Sequence, residues 1–196
     1  MKLIVATQNQ HKKKEILSLL GDSFEIISLS DLNYFDELPE THSTLRENAD
    51  EKATFVNNYF QADCFAEDTG LEIDHLNGAP GVLSARYAGV QKNSRDNTEL
   101  VIKTMEGVKN RSARFQTVIC LILNNKKVFF GGSVNGMISS YPQGDSGFGY
   151  DAIFIPEGFQ KTYAQMDFVE KNNISHRKNA LEKMKAFLLP GQAVKQ

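Results

Sequence analysis

The chain has 196 residues, 41% hydrophobic and 23% charged; these are ordinary globular values and exclude a disordered chain. Its 22 basic and 24 acidic residues leave a formal net charge of -2, which argues against binding nucleic acid through a broad positive face. The N-terminus lacks the features of a signal peptide, and no apolar run approaches the roughly 18 residues of a membrane span. We therefore expect one cytoplasmic domain, residues 1–196, with no nucleic acid or membrane partner.

The first third of the chain predicts strands and helices in alternation. Apolar runs typical of buried strands lie at 2–6, 24–28 and 63–66. Asn9 precedes an amphipathic pattern and is a candidate helix N-cap. Thr44 and Glu47 have the spacing of a capping box and predict the start of a second amphipathic helix.

The rest of the chain predicts a hairpin among further helices. The strongest signal is two long strand-like runs, 114–123 and 126–138, joined by a two-residue Asn-Asn turn. Further patterns predict a helix at 94–106, a strand at 151–155 and a helix that Ser175 caps. Helices interspersed with strands, one pair forming a hairpin, imply an α/β fold on a mixed sheet.

Two adjacent acids, Glu67 and Asp68, stand at the predicted exit of the strand at 63–66, before Thr-Gly. Neighbouring carboxylates repel each other, and a hard divalent cation held by Asp68, or also by Glu67, would remove that repulsion. Molecules that bind to an α/β sheet lie beyond the ends of its strands, where Asp68 is expected. Glu40, in an acidic loop, is a candidate second ligand of the cation. A tight turn with solvated acids remains open as the alternative.

Two further segments predict contacts with an anion. The turn at 7–12 leads into a helix, whose N-terminal N–H groups and Lys12 would suit a phosphate, although the segment taken alone favours a capped helix with solvated lysines. His176 and Arg177 fall in the first turn of the last helix, where the dipole disfavours positive charge, so we expect a negative partner. Lys171, just upstream, could face the same ligand, and a basic surface helix is the alternative.

The segment 142–154 holds three glycines, Gly144, Gly147 and Gly149, just before the predicted strand at 151–155. Glycines permit close approach of the backbone to a ligand, and Phe148 and Tyr150 offer ring faces for a planar base. Asp151 is a polar residue at the start of an apolar run. A flexible connector without a ligand stays open as the alternative.

Six segments taken in order resemble the inosine triphosphate pyrophosphatase family: TQNQHK, LRENADEKA, AEDTGLEID, GAPGVLSARYAG, GFGYDAIF and EKNNISHR. The resemblance covers nearly the whole chain. It implies a two-lobed α/β fold with a long mixed β-sheet, flanking helices and a central active-site cleft. It also implies a homodimer that uses Mg²⁺ to hydrolyse deaminated purine nucleoside triphosphates (ITP, dITP, XTP) to the monophosphate and pyrophosphate.

The resemblance also implies roles for the matching residues. Glu40 and Asp68 would bind magnesium, and Asp68 would also be the base that prepares the attacking water. Lys52 would reach the phosphates from the second helix, and the rest of the substrate-binding set is Thr7, Gln8, Asn9, Gln10, His11, Lys12, Thr69, Arg86, Phe148, Gly149, Tyr150, Asp151, Lys171, His176 and Arg177. Of these, Lys171, His176 and Arg177 would donate to the 6-oxo group of the purine, a bond that the 6-amino group of ATP cannot accept.

Two alternatives remain open at this point. A pyrophosphatase of the Maf-like group, acting on modified pyrimidine or other nucleotides, resembles this architecture, but the SHR and FGYD segments disfavour it. A nucleotide-sensing or RNA-binding module would use the same loops without turnover. Acids near a phosphate site would repel the ligand of such a module unless metal is present, so dependence on magnesium separates it from the enzyme.

Overall fold

The structure is a computed structural model that describes residues 1–190; residues 191–196 of the predicted domain lie outside that range. Its elements follow the order β1 (Lys2–Ala6), α1 (Gln10–Leu20), β2 (Glu25–Ser28), α2 (Leu45–Phe60), β3 (Cys64–Ile73), α3 (Ser94–Thr104), β4 (Ser112–Leu123), β5 (Lys126–Ile138), β6 (Phe154–Pro156), α4 (Phe168–Ile174) and α5 (His176–Leu188). The strand order is β2-β1-β3-β4-β5-β6. Because β1 is parallel to β2 and β3 while β5 is antiparallel to β6, the predicted α/β class with a mixed sheet is confirmed.

The described chain divides into two compact units. Within residues 1–190, the first unit comprises residues 1–68, 117–132 and 177–190, and the second comprises residues 69–116 and 133–176. Within residues 1–190, no helix is both long and apolar enough to cross a bilayer.

The core of the first unit has two sides, defined by which helices cover the sheet. On one side α1 and α5 pack on residues that include Val5 and Phe65. On the other side α2 packs on residues that include Ala6, Cys64 and Ala66. Successive residues of β3 therefore point to opposite faces, as the pleat of a strand requires.

The strand β3 is longer than predicted, and the alternative of a tight turn at Glu67–Gly70 is wrong. The strand continues through these residues to Ile73, and Leu71 and Ile73 are fully buried in the core of the second unit. A Cβ on Gly70 would lie 2.6 Å from the carbonyl oxygen of Gly81, so the glycine permits close packing of backbone rather than a reversal of the chain.

The predicted helix starts at Asn9 and Thr44 and the predicted hairpin are confirmed. Asn9 caps α1, and Thr44 caps α2, accepting from the Glu47 amide at 3.2 Å. At the hairpin, Asn124 and Asn125 have φ angles of 49° and 62°, the left-handed conformation that a two-residue turn needs to match the twist of its strands.

The segment around Asp151 differs from its prediction, because β6 begins only at Phe154. The Asp151 carboxylate accepts from the Phe148 amide at 2.9 Å, and this local bond closes a turn where a strand was expected. Helix α4 was not predicted at all, although Asp167 caps it by accepting from the Glu170 amide at 2.8 Å.

The two cysteines are expected to be unreactive in the native protein. Cys64 and Cys120 are fully buried, and burial raises the pKa of each thiol to about 12. Because the thiolate is the nucleophile, an aromatic disulfide reagent at pH 8 should modify neither residue in folded protein and both after denaturation. Rapid modification of native protein, followed by absorbance, would contradict this.

Candidate active site

The Asp68 carboxylate lies beside a lysine and an asparagine of α2. Lys52 Nζ is 2.9 Å from Asp68 Oδ1 and 2.6 Å from Glu40 Oε1, so one ammonium holds both carboxylates. Asn48 Nδ2 donates to Asp68 Oδ2 at 3.4 Å, and Asn48 Oδ1 accepts from the His42 amide at 2.9 Å. Helix α2 thus presents two polar side chains, one turn apart, to Asp68 in the middle of β3.

Burial and charge act in opposite directions on Lys52. Burial lowers the pKa of this side chain, but Asp68 and Glu40 raise it by more, so the pKa lies above its ordinary value of 10.5. A raised folded-state pKa contributes stability that is fully present below pH 10.5 and is lost as the pH rises through the folded value. Lys52 is therefore a charged ammonium at every physiological pH.

The turn before α1 contains the predicted phosphate-binding residues Thr7 to Lys12. Asn9 Oδ1 accepts from the amides of His11 at 3.0 Å and Lys12 at 3.1 Å. The expectation of open N–H groups is therefore wrong for these two amides, because the N-cap side chain already satisfies them. The Asn9 amide donates to Thr7 Oγ1 at 3.3 Å, and Gln8 Nε2 donates to the carbonyl of Asp36; Asn9, Gln10 and His11 are exposed.

A second acid–base cluster lies on the opposite face of β3 from Asp68. Glu67 accepts from Arg177 Nε at 3.0 Å and 2.8 Å through its two oxygens, and Arg177 Nη1 donates to Glu15. Lys12 Nζ is 3.3 Å from Glu67 Oε1. The expected negative partner of Arg177 is thus provided by two acids of the first unit, and they raise the pKa of the guanidinium despite its burial.

The second unit brings together three of the predicted base-binding residues. Lys171 Nζ lies 2.6 Å from Asp151 Oδ2 and 4.7 Å from the centre of the Phe148 ring. A Cβ on Gly147 would lie 2.1 Å from Asp151 Oδ2, so only glycine leaves room for this carboxylate. A buried lysine is therefore held by a carboxylate and faces an aromatic ring.

The remaining predicted residues of the second unit lie in other surroundings. Tyr150 is 3% exposed, belongs to the core and donates to the Ser84 carbonyl at 2.9 Å, so its ring is packed rather than presented by an open loop. His176 is buried and stacks on Phe115 with ring centres 4.6 Å apart. The carbonyl of Gly149 accepts a hydrogen bond from the Thr98 hydroxyl. Thr69 lies on β3 and Arg86 lies on a 3-10 helix, and both residues are partly buried.

The Glu40 and Asp68 pair suits a hard divalent cation by its chemistry. Within residues 1–190, no three histidine, cysteine, aspartate or glutamate side chains are grouped as a pre-formed metal site would require. Mg²⁺ is, however, usually bound through one or two carboxylates and the phosphates of the substrate. Two carboxylates that converge on a single ammonium fit that donor set.

Asn48 and Glu15 are the site residues that the sequence reasoning missed. Both are buried polar residues on otherwise apolar helix faces: Asn48 precedes Ala49 on α2, and Glu15 precedes Ile16 on α1. Each also lies one helical turn from a predicted lysine. A polar residue within an apolar stripe, three or four positions from a candidate ligand, was the signal available in the sequence.

Comparison with known proteins gives a consistent result over nearly the whole chain. A sequence model described as the Ham1 family matches residues 3–187. The dITP/XTP pyrophosphatase of Flavobacterium johnsoniae is 49% identical over 94% of this chain and 96% of its own, and that of Porphyromonas gingivalis is 45% identical over 96% and 97%. The solved Ham1 protein of Coxiella burnetii is similar with a TM-score of 0.87 at 37% identity, and that of Staphylococcus aureus with 0.86 at 35%; each comparison covers 96% of this chain and 98% of the other.

Proposed function

The chain belongs to the Ham1 family, which confirms the family resemblance of its ordered motifs, and we propose that it hydrolyses deaminated purine nucleoside triphosphates. The substrates are ITP, dITP and XTP, and the products are the nucleoside monophosphate and pyrophosphate. Hydrolysis removes these nucleotides before they are incorporated into DNA or RNA. The observation that carries the proposal is the Asp68–Lys52–Glu40 cluster, in a chain 49% identical to a dITP/XTP pyrophosphatase.

In the proposed reaction, Asp68 accepts the proton of a water molecule whose oxygen attacks the α-phosphorus. The bond between the α-phosphorus and the bridging oxygen breaks, and pyrophosphate leaves. Lys12 and Lys52 offset the negative charge of the triphosphate, since phosphoryl transfer depends mainly on charge stabilisation and positioning. Asn48 orients Asp68 through its amide, which leaves the other carboxylate oxygen to Lys52.

We propose Mg²⁺ as the cofactor, held by Glu40 and Asp68. When bound, it supplies further positive charge to the phosphate oxygens. Lys52 already holds both carboxylates in place, so these ligands need little reorganisation. A homodimer, a cytoplasmic location, and the absence of nucleic acid and membrane partners stay predictions.

The point of attack can be tested with isotopically labelled water. Hydrolysis of ITP in H₂¹⁸O is expected to place the label in IMP and none in pyrophosphate, because the proposed attack is at the α-phosphorus. Mass spectrometry of the two products reads this directly. Label in pyrophosphate, or release of orthophosphate from the wild type, would contradict the proposed reaction.

Replacing Lys171 is expected to weaken the discrimination between ITP and ATP. Lys171→Met removes one of the three donors proposed for the 6-oxo group, so the ratio of kcat/KM for ITP to that for ATP should fall about 10-fold or more. This ratio does not depend on the fraction of active protein, because kcat/KM for both substrates is measured on the same preparation. Lys161→Met, which breaks the partly exposed pair of Lys161 with Glu170 in the same unit, is the matched control. An unchanged ratio in Lys171→Met would remove Lys171 from the recognition of the base.

A further inference from the structure

Glu67 connects two positively charged residues of the first unit. Its Oε1 atom is 3.0 Å from Arg177 Nε and 3.3 Å from Lys12 Nζ. Arg177 also donates to Glu15, so one guanidinium pairs with two buried carboxylates. Such a cluster is retained in a core only when its members are paired in this way.

The members of this cluster differ in their exposure to solvent. The side chains of Glu67 and Arg177 are each 1% exposed and that of Glu15 is 4% exposed, whereas the Lys12 side chain is 18% exposed. Arg177 therefore fixes Glu67 in the interior, and Glu67 in turn holds the one member that reaches solvent. A lysine side chain loses rotamer entropy when it is ordered.

The alternation of β3 separates this cluster from the carboxylates proposed for magnesium. Glu67 points with Phe65 to the face that α1 and α5 cover, and Asp68 points with Ala66 to the face that α2 covers. Glu67 is therefore paired with a guanidinium on one side of the strand, while Glu40 and Asp68 share Lys52 on the other.

We propose that Glu67 is a positioning residue for Lys12 and not a metal ligand. It holds the ammonium in place before the triphosphate arrives, so that binding does not have to order a flexible lysine. This inference rests on the proposed function, in which Lys12 contacts the phosphates. Preorganisation of this kind strengthens binding by lowering the ordering cost.

A double-mutant cycle tests whether Glu67 acts through Lys12. Affinity for inorganic tripolyphosphate, measured by calorimetry with magnesium, is compared for the wild type, Lys12→Met, Glu67→Gln and the double variant. Each single change is expected to weaken binding roughly 10-fold, and the double variant should be within about 3-fold of Lys12→Met. Glu72→Gln, on the same strand but paired with Arg114, is the matched control, and its effect should simply multiply with that of Lys12→Met.

Dependence on magnesium tests the second half of the proposal. The magnesium concentration for half-maximal ITP hydrolysis should change less than about 2-fold in Glu67→Gln and rise about 10-fold or more in Glu40→Gln. A large rise in Glu67→Gln would make Glu67 a metal ligand and overturn the proposal. Glu67→Asp, which keeps the charge, replaces Glu67→Gln in both assays if the amide variant does not fold.

The outcomes separate this proposal from the proposed function. If the losses of tripolyphosphate affinity in Lys12→Met and Glu67→Gln multiply fully in the double variant, the positioning role is overturned. The proposed function would not be affected, because ITP hydrolysis by the wild type is measured separately. A wild type that binds tripolyphosphate but leaves ITP intact would refute the proposed function. The double-mutant cycle, which measures affinity for tripolyphosphate, would still test the positioning role of Glu67. A wild type that does not bind tripolyphosphate would overturn the positioning role itself.

Discussion

Asp68→Asn is expected to lower kcat for ITP on the order of 10³-fold or more. The amide cannot accept the proton of the attacking water, it is a weak ligand for magnesium, and it removes one of the two carboxylates around Lys52. Single-turnover release of pyrophosphate, measured with saturating magnesium, gives the rate of the chemical step.

Two controls accompany the Asp68 variant. Asp50→Asn removes an acid of the first unit that pairs with Lys127 and should retain wild-type activity. Asp68→Glu keeps the charge but moves the carboxylate, so its rate should fall between the other two. If a correctly folded Asp68→Asn kept more than about a tenth of the wild-type rate, Asp68 could not be the base.

Arg177→Met is expected to lower the free energy of unfolding by about 3–5 kcal/mol. The change leaves the buried carboxylates of Glu67 and Glu15 without the guanidinium that pairs them, and the shorter hydrophobic replacement cannot donate to them. Urea denaturation at pH 7 measures the effect.

The matched control for Arg177→Met is Arg95→Met. Arg95 pairs with Glu99 on the surface of α3, where its side chain is 86% exposed, so its removal should leave the unfolding curve unchanged. Equal effects from the two substitutions would show that the buried cluster contributes no more than a surface ion pair.

The local structure of the chain follows from short-range signals in its sequence. Caps at Asn9 and Thr44 and the Asn-Asn turn depend on hydrogen bonds and φ angles within a few residues, and a single sequence contains that information. The error at Glu67–Gly70 has a long-range cause. Gly70 faces the backbone of Gly81, and no local pattern distinguishes such a close approach from a turn.

The partners of the adjacent acids could not be predicted from the sequence. Glu67 pairs with Arg177, which is 110 positions away, whereas Asp68 pairs with Lys52 on the other face. The dipole of the last helix correctly indicated a negative partner for its basic start, but a substrate and a protein acid satisfy that requirement equally well. The neighbouring acids tolerate each other because the pleat points them apart.

The most direct test of the proposed function is a nucleotide panel. ITP, dITP, XTP, GTP and ATP are incubated with the purified protein, with and without magnesium, and pyrophosphate is separated from orthophosphate. We predict IMP and pyrophosphate from ITP only when magnesium is present, with GTP and ATP nearly untouched. No turnover of any purine triphosphate, or equal turnover of ATP and ITP, would contradict the proposed function.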